Sequence, residues 1–145
     1  MKNFLGVVGS PRKKGNTHIL ISKIFQGAKR EGAIGDILFL NDLDIQECDG
    51  CHICWMGKPC RKKDDMNRIY PKIIESDVII FGTPVYWYGP TALMKGFIDR
   101  FVYFNCPENR KYIKASRLFW LSLSKMKIPQ LLIWSRRCSK RACNI

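Results

Sequence analysis

Nowhere in this chain does an apolar run approach the roughly 18 to 20 residues that a bilayer-spanning helix requires. Met1 to Gly9 is also too short and too lightly charged for a secretory signal. These two absences set the expectation of a cytoplasmic protein with no membrane partner. Thiols stay reduced in that compartment, so the seven cysteines read as metal-binding or redox-active groups before they read as a disulfide framework. Nucleotide-binding signatures are missing too: no loop ends in G-K-[ST], and no G-x-G-x-x-G follows an apolar run. Histidine is confined to His18, read as a surface group, and His52.

Negative charge is scarce. Lys and Arg number 25 against 12 Asp and Glu, a formal charge of +13, and nothing acidic follows Glu108. Such an excess ordinarily points to nucleic acid or an anionic surface. Its distribution argues otherwise, because seven of the cations (Arg117, Lys125, Lys127, Arg136, Arg137, Lys140 and Arg141) fall in residues 116–145. Residues 1–115 are only mildly basic and, with 46% apolar content over the chain, suit one domain with an ordinary core. The basic stretch 116–145 is set apart as an atypical tail.

The pattern along residues 1–115 alternates. "NFLGVVG" at 3–9 reads as a strand buried on both faces, and Leu20, Ile21, Ile24, Phe25 and Ala28 recur at helical spacing after it. "GDILFLND" at 35–42 is a second strand candidate, and "KDDMNRIYPKIIESD" opens with carboxylates suited to a helix N-terminus, though Pro71 makes that helix imperfect. "DVIIFGTP" at 77–84 is the clearest central strand, and "PTALMKGFIDRFVYF" at 90–104 an amphipathic helix. Strands separated by helices imply a doubly wound parallel α/β sheet, which binds ligands beyond the carboxyl ends of its strands. Three unusual loops leave those ends and are expected to converge on one edge.

The first, "GSPRKKGNT", gathers Ser10, Arg12, Asn16 and Thr17 around a helix N-terminus, with Gly15 relaxing the turn. Those are donors for a terminal phosphate, placed where the helix dipole favours an anion; the plainer alternative is a capped turn with solvated cations. The third loop, "TPVYWYGPT", holds Tyr86, Trp87 and Tyr88 between two prolines, where they can wall a planar heterocycle or pack at a sheet edge or subunit interface. The second, "CDGCHICWMGKPC", spaces Cys48, Cys51, Cys54 and Cys60 as C-x2-C-x2-C-x5-C. Three close thiolates and a fourth can each cap one corner of a [4Fe–4S] cube. Zinc would take four thiolates but usually draws them from two separated pairs, and unligated thiols are the third possibility.

Taken in order and spacing, "GSPRKKGNT", "CDGC", "KDDM" and "DVIIFGTPVYWYGPTALMKGFIDR" resemble the flavodoxin-like NAD(P)H-dependent FMN reductases, and among them the iron-sulfur flavoproteins. The resemblance covers residues 1 to about 115. It implies a sheet of order 2-1-3-4-5 with bound FMN, its phosphate held by Ser10, Arg12, Asn16 and Thr17 and its isoalloxazine lined by Pro84, Val85, Tyr86, Trp87 and Tyr88. It also implies cluster ligation by Cys48, Cys51, Cys54 and Cys60, NAD(P)H or a protein as electron donor, and a homo-oligomer with the cluster near a subunit interface. Hydride and electron chemistry would belong to the flavin, so no catalytic side chain is expected. A cluster-free NAD(P)H-dependent FMN or quinone reductase is the alternative enzyme; a basic nucleic-acid-binding module is the remote one.

The tail departs from that family. "SLSKMKIPQLLIWSRRCSKRACNI", from Ser122, can be encoded by codons whose frame begun one nucleotide earlier reads "IPFEDEDPTTADLVEKMFEKSLQY". That string is acidic, loop-like and then amphipathic, and one step is forced: Met126 between Lys125 and Lys127 gives Glu. Residues 116–145 are therefore expected to be a frameshifted or truncated end of the same domain, with Leu118 to Leu123 still able to supply a strand. Weak FMN binding, poor solubility or rescue by oligomerisation would follow.

Overall fold

A computed structural model describes residues 1–113 and 117–123. β1 (Asn3–Val8), β2 (Ile34–Phe39), β3 (Val78–Pro84) and β4 (Arg117–Leu123) form one parallel sheet in the order β2-β1-β3-β4. Parallel neighbours need crossovers. These contain α1 (Asn16–Arg30), α2 (Met66–Ile74) and α3 (Ala92–Asp99), and a single turn, α4 (Pro107–Arg110), follows α3. The expected order holds through its fourth strand, and a fifth strand falls outside the described residues. Among the described residues no helix is long and apolar enough to cross a membrane.

Strand alternation divides the interior into two cores. Leu5, Val7, Ile79 and Phe81 face one side and pack with Met66, Ile69 and Ile73 of α2 and Met94 and Phe97 of α3. Val8, Val78 and Ile80 face the other and pack with Ile21 and Phe25 of α1. On that second side two strand glycines let α1 come close. A Cβ on Gly6 would stand 2.9 Å from both Ile21 Cγ2 and Phe25 Cε2, and one on Gly82 2.5 Å from Ile21 Cδ1. Their spacing seats the helix whose first turn follows the phosphate-type loop.

One element differs from the sequence expectation. The helix expected over 90–104 ends at Asp99, and Arg100–Asn105 tightens into a 3-10 segment. Bulky "FVYF" loses rotamer freedom in an α-helix, and Pro107 holds Cys106 in an extended conformation (ψ 151°) that stops any continuation. α2 tolerates Pro71 as a short helix of nine residues, begun where Asp64 Oδ1 accepts the Met66 amide at 3.1 Å. β4 lies inside the stretch set apart as a tail: it pairs with β3 from Val78↔Arg117 to Pro84↔Leu123. The remainder of that stretch, residue 116 and residues 124–145, lies outside the described residues.

Candidate functional site

The chain leaves β1 through Gly9, whose amide donates to the Gly82 carbonyl at 2.8 Å and so keeps the first loop against the end of β3. Ser10 is buried, and its Oγ accepts the Arg12 amide at 3.2 Å, folding the loop back on itself. The Gly15 amide closes that turn on the Arg12 carbonyl at 3.0 Å. α1 then starts with Gly15 as its cap, no capping side chain and no acidic group in its first turn. The positive end of a fifteen-residue dipole is left without a side-chain counter-charge there, which suits an anion. Around it Thr17 is buried, while Arg12 and Asn16 are exposed.

Beyond β3, Pro84 and Val85 are half-buried and lead into a two-residue turn. Tyr86 and Gly89 exchange both backbone hydrogen bonds, at 2.9 and 3.1 Å, around Trp87 (φ 46°) and Tyr88 (φ 63°). Two left-handed central residues make a type I′ turn, which favours Asn and Gly and strains aromatic residues. The strained rings are also the exposed ones: Tyr86 is 50% exposed, Trp87 94% and Tyr88 79%.

One residue joins these two loops. The Thr91 hydroxyl donates to the Gly9 carbonyl at 2.5 Å and accepts the Met94 amide at 3.2 Å, capping α3. Its own amide donates to Thr83 Oγ1 at 3.1 Å. Thr83, Gly9 and α3 are thereby fixed relative to one another through a single residue.

The cysteine loop is built elsewhere. A 3-10 turn, Ile53–Met56, is entered through His52 (φ 57°) and left through Gly57 (φ 71°). Cys48, Cys51, Cys54 and Cys60 all border one cavity of ≈ 30 Å³, with Tyr70, Arg100 and Tyr103 on its inner side. Burial pushes the Cys54 thiol above its ordinary pKa, and the neighbouring Cys106 adds to the shift. Asp49 is held below the usual carboxylate range by Arg61, with which it forms an ion pair. Behind the loop the buried Arg100 guanidinium pairs with buried Asp64, donates to the Gln46 carbonyl at 2.7 Å and to Cys60 Sγ at 3.4 Å. Among the described residues, no three thiol, imidazole or carboxylate groups stand where they could hold a single metal ion.

The model of the NADPH-dependent FMN reductase family matches residues 3–119. The chain belongs to that family. An iron-sulfur flavoprotein of Archaeoglobus fulgidus is 40% identical over 96 residues, covering 66% of this chain and 47% of that protein. Another, from Methanocaldococcus jannaschii, is 36% identical over 96 residues, covering 66% and 50%. This FMN reductase family member therefore spans about half the length of the curated relatives it matches. An azoreductase of Bacillus anthracis superposes with a TM-score of 0.64 at 15% identity, covering 86% of this chain and 69% of that one, and shares the fold.

In this FMN reductase family member the loops after β1 and β3 meet, and the segment that follows β2 reaches the first of them through the ion pair of Lys13 with Asp42 at 2.7 Å. The loops after β1 and β3 are tied together through Gly9, Gly82 and Thr91. The cysteine cavity contains no residue of either in its wall, because the chain between Leu40 and Met66 turns down against α2 and the 100–105 segment. Sequence reasoning passed over Thr91, although a threonine before an apolar helical run is a cap signal. Asp99 is a surface partner of Lys95, and Arg100 is the buried anchor of the cysteine loop.

Proposed function

We propose that this chain is a flavin-dependent oxidoreductase that holds FMN on the loops after β1 and β3 and a [4Fe–4S] cluster on its cysteine loop. The observation that carries this reading is the gathering of Cys48, Cys51, Cys54 and Cys60 around one cavity in a member of the FMN reductase family. Those thiols border a common space without converging on one ion. A cube needs one thiolate per iron, spread over four corners, whereas zinc needs all its donors at one point. FMN, when bound, supplies the chemistry that links two-electron donors such as NAD(P)H to one-electron carriers.

The chain's own part is binding and orientation. Ser10, Arg12, Asn16, Thr17 and the first-turn amides of α1 would take the phosphate, and Pro84, Val85, Tyr86, Trp87 and Tyr88 would flank the ring. The solvent-facing aromatic turn offers the apolar surface that a planar heterocycle covers. No side chain is assigned a catalytic role. The separation of the cysteine cavity from both flavin loops within one chain supports a homo-oligomer in which a second copy brings the two centres together.

A cluster-free NAD(P)H-dependent FMN or quinone reductase is favoured by one observation: among the described residues no three thiol, imidazole or carboxylate groups converge on a point where they could hold a metal ion. Anaerobic purification with flavin, iron and sulfide analysis separates the readings. Broad absorption beneath the flavin bands with about four irons per chain is the expected result. A clean flavin spectrum without iron would establish the cluster-free enzyme, and no flavin at all would overturn both.

A further inference from the structure

Arg100 is 2% exposed, and such a cation inside a hydrophobic core carries a large desolvation cost that a lone ion pair does not reliably offset. Its hydrogen bonds show what it organises. One terminal nitrogen reaches the Gln46 carbonyl and Asp64; the other reaches Asp64 Oδ1 at 3.2 Å and Cys60 Sγ at 3.4 Å. Gln46 stands just before the first cysteine and Asp64 just after the last. The Gln46 amide also donates to Asp64 Oδ2 at 2.9 Å, so the two ends of the loop meet on the same ion pair. A planar fork can hold a carbonyl, a carboxylate and a sulfur at once, whereas an ammonium is a point charge without that geometry.

We infer that Arg100 is a positioning residue for the cysteine-bound centre: it closes the loop over residues 46–64 and donates an N–H···S hydrogen bond to Cys60 that raises the reduction potential of the cluster. The inference rests on the cluster reading above. Reduction adds one electron to the cluster and increases negative charge on its ligand sulfurs, so a donor aimed at a sulfur favours the reduced form. Asp64 neutralises the guanidinium's charge at close range, which leaves the directional hydrogen bond as the main influence on Cys60.

The experiment uses the full chain, labelled with guanidino-15N arginine, purified anaerobically and reduced by one electron per cluster with dithionite. Arg61 also lies near the loop through its pair with Asp49, so Arg61→Lys serves as the background. Pulsed EPR of that protein is expected to show 15N coupling to the reduced cluster, and Arg100→Lys to lose it. In a redox titration Arg100→Lys is expected to shift the cluster midpoint to lower potential with iron content unchanged. No 15N coupling in the Arg61→Lys protein, or an unchanged midpoint in an iron-replete Arg100→Lys protein, overturns the inference and leaves the cluster reading standing. A flavin-loaded chain without iron overturns the cluster reading and this inference with it. If Arg100→Lys loses its iron, the coupling in Arg61→Lys decides.

Discussion

The hydroxyl of Thr91 donates to the carbonyl oxygen of Gly9, 82 positions earlier in the chain, and this buried bond fastens the loop after β3 to the loop after β1. Together with the Gly9–Gly82 backbone bond, it sets the relative placement of the groups assigned to the two ends of the flavin. Thr91→Val keeps the shape but removes this bond and the cap on Met94, leaving the Gly9 carbonyl buried without it. A loss of about 1–3 kcal/mol in stability is expected. FMN affinity, read by flavin fluorescence quenching, falls with it, and Thr91→Ser stays near the parent in both. Unchanged affinity in a folded Thr91→Val protein would show that the loops are set independently.

Gly82→Ala places a methyl group 2.5 Å from Ile21 Cδ1 and 2.9 Å from Thr17 Cγ2. α1 has to move off the sheet, carrying the phosphate-type loop with it, at a cost of about 1–3 kcal/mol. Ile21→Val deletes the very atom that clashes. The double variant should therefore recover part of both the melting temperature and the FMN affinity lost by Gly82→Ala alone. A strictly additive double variant would place the strain elsewhere.

Asp64 ionises more readily than an ordinary carboxyl: burial opposes ionisation, and hydrogen bonds from Arg100 and from the Gln46 and Met66 amides outweigh it. A depressed folded-state pKa gives stabilisation that is complete above the unfolded value, near ~3.9, and is lost as pH falls through the folded one. Asp64→Asn strands the Arg100 cation in the core and should cost about 3–5 kcal/mol at pH 7. Urea melts from pH 7 down to pH 2 should show that gap narrowing below pH ~4, as the carboxylate of the unfolded chain takes up a proton that the folded Asp64 still resists. A gap constant with pH would mean that the carboxylate charge is not what matters.

The left-handed turn at Trp87 and Tyr88 predicts a trade between stability and binding. Tyr88→Gly relieves a strained non-glycine residue and should stabilise the apo chain by about 1 kcal/mol. The same change removes a ring assigned to the flavin site, so FMN affinity should fall several-fold. Thermal melts and FMN titrations on one preparation check both signs. Undiminished affinity would remove Tyr88 from the site.

The shifted-frame expectation for the stretch from Ser122 is checked by resequencing the gene. Reading "IPFEDEDPTTADLVEKMFEKSLQY" in place of the present end should give higher soluble yield and FMN binding tighter by about tenfold, ~1.4 kcal/mol. An unambiguous in-frame sequence, with stoichiometric FMN in the chain as written, would refute it.

What could be read from sequence was local. "DVIIFGTP" is apolar on both faces and became β3 almost to the residue, and the cysteine spacing alone put four thiols in one loop. The alternation of strands and helices was enough for a parallel sheet, and its order came from the family resemblance. What escaped depends on partners distant in the chain. Nothing local marks what Arg100 anchors, and only the fold brings it against Gln46 and Asp64. The turn at Trp87 and Tyr88 runs against residue preference, so no propensity argument finds it. The 3-10 segment after Asp99 packs Tyr103 and Phe104 on Tyr70, contacts that no short window of sequence contains.

The bonds from Arg100 to Gln46, Cys60 and Asp64 span 54, 40 and 36 residues. A synthetic peptide of residues 46–64 therefore carries every cysteine of the motif and none of its anchor. The loop's anchored shape depends on the segment after α3, so the receptacle for any inorganic centre is a property of the folded domain and not of the motif. Grafting the thirteen-residue motif onto another scaffold would transfer the thiols and leave behind the residue that holds them.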